Sequence, residues 1–126
     1  MFNDVLSGLT HKPVTVQYPV ERRPVPAQFR GALAFNPTKC TGCALCVKDC
    51  PADAIRMVVN DKSGKRFVIQ YDVDRCAFCG QCVYSCRFDC LTLAAEQWEL
   101  ATLNKDHFRE LLGDKANVDE FVARGA

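Results

Sequence analysis

The chain predicts an α+β fold made from one small unit used twice, and three observations lead there. Nine cysteines stand in 126 residues, eight of them in two runs of the same spacing. Displacing the sequence by 36 residues aligns it with itself. Between the two runs lie two stretches rich in β-branched and aromatic residues, separated by a polar turn.

The self-match is detailed. Phe35, Asn36 and Lys39 align with Tyr71, Asp72 and Arg75, and Cys40, Cys43, Cys46 and Cys50 align with Cys76, Cys79, Cys82 and Cys86. Val47 meets Val83, and Ile55 meets Leu91. Each copy reads as strand, cysteine loop, short helix and strand. Two such units can bury their apolar faces against each other, as repeat architectures do.

Taken in order, residues 1–31 form an N-terminal arm. Phe2, Val5, Leu6 and Leu9 fall at helical spacing, and the following stretch, with Pro13, Pro19, Pro24 and Pro26 around Val14, Val16 and Tyr18, should be extended. The duplicated domain occupies residues 32–95. Short helices are expected over 47–50 and 83–86, and a β-hairpin over 54–59 and 66–71, with 60–65 as its turn. Residues 96–126 form a C-terminal arm anchored by Trp98. One helix there should be capped by Asn104, carry Phe108, Leu111 and Leu112, and stop at Gly113. A second should be capped by Asn117, with Glu120 three residues on and Val118, Phe121 and Val122 on one side. Neither arm has the apolar residues for a core of its own, so both read as docking pieces.

Composition narrows the function classes. With 16 basic and 15 acidic side chains the formal charge is +1, which gives no footprint for nucleic acid. The basic group Arg22, Arg23 and Arg30 reads as a solvated or docking surface. No apolar run approaches the roughly 20 residues that span a bilayer. Residues 1–10 include Asp4 and lack a basic segment followed by a long apolar one, so no secretory signal is expected. In a reducing compartment clustered cysteines are metal ligands rather than disulfides. His11 and His107 lie in the arms and read as surface residues. No nucleophile triad, phosphate loop or carboxylate pair stands out, and catalysis within the chain is not expected.

The cysteine runs carry the chemistry. Cys40, Cys43, Cys46 and Cys50, followed by Pro51, fit the C-x₂-C-x₂-C-x₃-C-P pattern, and Cys76, Cys79, Cys82 and Cys86 repeat the spacing. Three thiolates at two-residue gaps curl around one corner of a cubane, and small residues such as Gly42 and Gly80 let the backbone approach it. Zinc sites use two separated knuckles rather than triplets. The expected cofactors are therefore two [4Fe–4S] clusters. In two-cluster ferredoxins the fourth cysteine serves the other cluster. That assigns Cys40, Cys43, Cys46 and Cys86 to the first cluster, and Cys76, Cys79, Cys82 and Cys50 to the second. Arg87 replaces the proline of the first run, which loosens the turn there. Cys90 stands where the first copy has Ala54, four residues beyond Cys86 on what would be the same helical face, and reads as a small buried residue rather than a ligand.

The flanks narrow the resemblance. The stretch from Lys12 to Pro24, with Tyr18, Pro19, Glu21 and Arg22 inside it, precedes Phe29, Arg30 and Gly31. It resembles the segment ahead of the cluster motif in the dicluster subunit of respiratory complex I and of its hydrogenase relatives. Trp98, Glu99, Leu100 and Ala101, with Asn104 and Lys105, resemble the segment after it. Complex I versions are usually longer, so the compact chain looks more like the electron-transfer subunit of an energy-converting membrane-bound [NiFe] hydrogenase. That resemblance implies a bacterial-ferredoxin-like fold with two [4Fe–4S] clusters, peripheral on the cytoplasmic face of the cell membrane. It implies single electrons arriving from a reduced ferredoxin or a dehydrogenase module. They would leave to a cluster-bearing small subunit, with membrane subunits as further partners. The alternatives are the dicluster subunit of a complex I-type quinone oxidoreductase and a free soluble ferredoxin.

Overall fold

The computed structural model describes residues 2–12, 15–61, 63–95 and 100–125. The expectations placed on Pro13, Val14 and Trp98 lie outside those residues. Between helix α1 (Phe2–Thr10) and β1 (Leu33–Phe35) the described residues form no helix or strand. The first copy then runs through α2 (Leu45–Lys48) to β2 (Ile55–Asp61), and the second from β3 (Arg66–Asp72) through α3 (Gln81–Tyr84) to β4 (Leu91–Leu93). A 3₁₀ turn (Lys105–Phe108), β5 (Arg109–Leu112) and α4 (Lys115–Ala123) complete the order.

The two copies interlock. β1 pairs antiparallel with β4, opposing Leu33 to Leu93 and Phe35 to Leu91. β2 and β3 form the expected hairpin, with Ile55 opposite Tyr71 and a bulge between Val59 and Asp61. Each strand of one copy is thus completed by the other, which is why neither unit could bury its apolar face alone. The core keeps the 36-residue offset: Leu33 with Ile69 and Ile55 with Leu91, all at most 4 % exposed. Each such side chain contributes about 1.5–3 kcal/mol by leaving water.

The cysteine helices begin two residues earlier than expected and are over by Lys48 and Tyr84. Their starts are set by Ala44 and Gly80, both in the left-handed conformation, and the chain leaves the helix again before Cys50 and Cys86. The short segments between left-handed turns leave no room for more.

The C-terminal segment corrects the sequence reading. Asn104 does cap a turn, its Oδ1 accepting from the Asp106 N–H at 3.1 Å, but that turn is 3₁₀ and gives way to a strand. Leu111 and Leu112, expected as a helical stripe, lie in β5, which pairs with the free edge of β3. The reason is register: Asp72 stands opposite Arg109, and their ion pair closes at 3.0 Å. Edge pairing of this kind satisfies backbone groups that a helix would leave exposed on β3. The second helix is present but is entered at Asp114, and Asn117 lies inside it, buried, accepting from Asn60 Nδ2 at 3.3 Å through its carbonyl.

β3 is the central strand of its three-stranded sheet and is covered on both faces. Successive side chains alternate across the strand. Phe67, Ile69 and Tyr71 turn toward the cysteines, while Val68, without exposed surface, faces the side taken by α4.

Candidate metal centres

Each cysteine run lies in a loop that enters through an extended turn, reverses at left-handed residues and leaves through a half-turn of helix. The left-handed positions recur at the 36-residue offset: Gly42 and Phe78, Ala44 and Gly80, Asp53 and Asp89. Glycine therefore serves a different position in each copy. A Cβ on Gly42 would come 2.5 Å from Cε1 of Phe67, which is 1 % exposed and has no room to withdraw. Around Gly80 the nearest atoms would be at 3.7 Å, and the equivalent residue is already Ala44.

Backbone N–H groups point at the sulfurs in the same paired way. Gly42 donates to Cys40 Sγ at 3.4 Å, and Phe78 donates to Cys76 Sγ at 3.3 Å. Ala54 and Cys90 donate to Cys50 Sγ and Cys86 Sγ, each at 3.3 Å. Donors held in this way favour the negative charge of a ligating thiolate.

The eight predicted cysteines are brought together in two sets. Cys40, Cys43, Cys46 and Cys86 line one pocket, joined there by Cys90 and closed by Phe35, Met57, Ile69 and Leu91. Cys50, Cys76, Cys79 and Cys82 surround the other, closed by Leu33, Ile55, Tyr71 and Phe78. In both, three thiols come from one loop and the fourth from the end of the other. Cys43 and Cys79 at the loop tips are exposed, whereas Cys40 and Cys46 are buried. Among the described residues no cysteine, histidine or acidic group converges closely enough to hold a single metal ion. The thiols stand around a space instead.

Burial and the neighbouring thiols Cys40 and Cys43 push Cys46 up to about 11, and burial does the same to Cys82. Cys46 also feels Cys82 across the contact between α2 and α3, so the two sets stand side by side. Binding of metal by such thiols must release their protons. Burial raises Cys86 as well, but N–H groups of Cys90 and Phe88 outweigh it and hold the thiol below its ordinary value.

Cys90 is 4 % exposed, lines the first pocket and stands just ahead of β4 rather than on a helical face continuing from Cys86. Its backbone, like that of Ala54, serves the fourth cysteine of its run. Burial and the adjacent Cys86 push its thiol up to about 12.

Two residues with a bearing on the site had no signal in the cysteine pattern. Arg30, expected on a solvated or docking surface, donates from Nη1 to the carbonyls of Cys79 at 2.6 Å and Phe78 at 3.4 Å. It ties the segment before β1 to the second loop. Tyr71 is 1 % exposed, and burial raises its hydroxyl well above the ordinary tyrosine value, with the adjacent Cys76 adding to the effect. The repeat alignment could have exposed Tyr71, since its counterpart Phe35 lacks the hydroxyl.

A duplicated α+β fold with two cysteine-lined pockets defines the class: a ferredoxin-like electron-transfer protein with two [4Fe–4S] clusters. Residues 39–90 match the 4Fe-4S dicluster domain and constitute one. The chain is similar to subunit I of NAD(P)H-quinone oxidoreductases. It is 42% identical over 105 residues to that of Synechococcus sp. (strain JA-3-3Ab), covering 80% of this chain and 50% of the relative. It is 40% identical over 108 residues to the chloroplastic subunit of Jasminum nudiflorum, covering 82% and 64%. The chain spans about half the length of most of the curated relatives it matches. A solved structure of the membrane-bound sulfane sulfur reductase, an archaeal respiratory membrane complex, shares the fold. Its TM-score is 0.68 at 24% identity, over 94% of this chain and 65% of that one. Among the described residues no helix is long and apolar enough to cross a membrane.

Proposed function

We propose that the chain is a built-in electron relay of a complex I-like membrane assembly, peripheral on its cytoplasmic side. The observation that carries this reading is the pair of cysteine-lined pockets held side by side, each with one thiol at the surface. Cys40, Cys43, Cys46 and Cys86 hold the first cluster, and Cys76, Cys79, Cys82 and Cys50 the second. When bound, the clusters supply one-electron redox chemistry. The residues around them exclude water with an apolar lining and direct N–H groups at the thiolates, so charge changes cost little rearrangement. Cys43 and Cys79 mark the edges at which an electron enters or leaves. All eight positions are taken by cysteine, which leaves no open iron for a substrate.

The partners follow from the same reading. The donor is a reduced ferredoxin or a dehydrogenase module, and the acceptor is a neighbouring small subunit bearing its own cluster. The N-terminal arm, residues 1–31, is a docking piece: α1 has no buried residue, and Phe2, Val5, Leu6 and Leu9 are all more than half exposed. The segment around Tyr18, Glu21 and Phe29 resembles complex I and hydrogenase subunits alike, and we take a hydrogenase as the first reading of where the electrons go. The relatives at 39–42% identity favour a quinone oxidoreductase as the second reading. Purifying the native complex and supplying it anaerobically with reduced ferredoxin decides between them. Evolution of H₂ supports the hydrogenase. Quinone reduction without H₂ replaces it, and recovery of the chain alone, with no companion subunit, refutes the built-in relay.

A further inference from the structure

The two pockets are near copies, but of their aligned aromatic residues only the one in the second pocket carries a hydroxyl. Tyr71 lines the pocket of Cys50, Cys76, Cys79 and Cys82, and its aligned counterpart Phe35 lines the other. The Tyr71 hydroxyl oxygen is fully buried. It lies beside the Cys76 thiol but makes no hydrogen bond of acceptable geometry with that sulfur or with any other described protein atom. Leaving a buried hydroxyl without a hydrogen bond is costly, and the phenyl ring alone would fill the same space without that cost. The lining around it is apolar: Leu33, Ile55 and Phe78. The acceptors within its pocket are sulfurs, and a ligating thiolate accepts far better than a neutral thiol.

We propose that the Tyr71 hydroxyl donates a hydrogen bond to the sulfur shell of the second cluster, with the Cys76 thiolate as its acceptor, and so holds that cluster at a higher potential than its twin. This rests on the ligand reading above, in which Cys76 serves the second cluster. A donor to a ligating sulfur draws negative charge away from the iron and favours the reduced state, which carries one more electron. The hydroxyl keeps its proton in both states. The added electron, supplied by an external one-electron reductant, is the only charge that changes. Phe35 gives the first cluster no hydroxyl, and the Cys90 thiol that lines that pocket beside Cys86 and Cys40 is a weaker donor. An electron therefore settles preferentially on the second cluster, and the duplicated unit acquires a direction. Tyr71 acts as a positioning and tuning residue, touching ligand sulfur rather than any substrate.

The test uses the full chain, loaded anaerobically, with Tyr71→Phe beside the wild type. Each is titrated with dithionite at fixed potentials and followed by electron paramagnetic resonance. Signals are assigned with Cys43→Ser for the first cluster and Cys79→Ser for the second. Tyr71→Phe should retain about eight iron. Its second-cluster couple should move negative by about tenfold in the reduction equilibrium, or roughly 59 mV for one electron. The first couple should stay in place, and one exchangeable proton coupling should vanish from the second cluster's ENDOR spectrum. An unmoved second couple, a moved first couple, a persisting proton coupling or loss of iron each overturns the inference. Failure of the ligand reading looks different: Cys43→Ser and Cys79→Ser would then alter the same signal in otherwise wild-type protein.

Discussion

The two cysteine loops have nearly the same backbone and reach it by different means. In the first loop the first left-handed position is free of strain, because Gly42 adopts positive φ without a Cβ and leaves its space to the Phe67 ring. In the second, the same position is Phe78 at φ +50°, a conformation that costs a bulky residue about 1–3 kcal/mol unless its surroundings enforce it. Arg30 supplies that enforcement by gripping the carbonyls of Phe78 and Cys79. The comparison teaches that duplication preserved the ligand geometry, while each copy found its own support. The first loop is held by packing from β3, the second by a cation from the segment before β1.

The sharpest way to break that comparison is to exchange the glycines for alanine. Both Gly42→Ala and Gly80→Ala bear a left-handed cost of about 1–2 kcal/mol. Only Gly42→Ala adds a collision with the immobile Phe67, an overpacking cost of about 1–3 kcal/mol. Chemical denaturation of the anaerobically loaded variants should rank Gly42→Ala well below Gly80→Ala. The former should also lose the signal of its own cluster first. Equal losses would remove packing as the first loop's support.

A smaller effect is expected from Arg30→Ala. It should speed the loss of the second cluster on exposure to chelator, read as a faster decay of that signal, while the first decays at the wild-type rate. If both decay alike, Arg30 serves the fold at large rather than the second loop. Because Arg30 belongs to the site, a truncation that tests the docking arm has to stop short of it. Removing residues 2–25 should leave both clusters and abolish co-purification with a membrane complex.

Smaller still is a pH effect confined to the second copy. Asp72 is 5 % exposed, and although burial opposes its charge, Arg109 and Gln70 hold its carboxyl below the ordinary aspartate value. Its first-copy counterpart, Asn36, does not titrate and instead accepts from Thr38. A depressed carboxyl contributes stability that is present above the ordinary value near 3.8 and is lost as the pH falls through the depressed one. Arg109 is half exposed, which keeps the contribution small. Unfolding followed between pH 5 and pH 2 (about the carboxylate range) should therefore steepen less with acid in Asp72→Asn than in the wild type. Identical profiles would show that the Asp72–Arg109 pair carries no stability.

Much of this was legible because cysteine spacing and a 36-residue repeat are local signals. The duplicated domain, the hairpin and the two sets of four thiols all derive from them. The C-terminal segment misled because Phe108, Leu111 and Leu112 satisfy a helical period, while their fate is set by an unpaired edge of β3 that no local pattern reports. Asn104 illustrates the same limit: its cap is real, yet the element it caps is a single 3₁₀ turn. Arg30 was hidden among neighbouring arginines, and its partners are carbonyls 48 and 49 residues away. Cys90 was visible as the departure from Ala54, but its place just ahead of β4 follows the left-handed Asp89, which no local pattern reports.

The central claim is that each cluster takes its fourth thiolate from the opposite loop, and Cys86→Ser tests it most directly. In anaerobically loaded protein, with signals assigned by Cys43→Ser and Cys79→Ser, the account predicts that Cys86→Ser alters the same signal as Cys43→Ser. It also predicts that Cys90→Ala, which only restores the first copy's residue, leaves both signals intact. A Cys86→Ser variant that alters the Cys79→Ser signal instead would contradict the crossed arrangement.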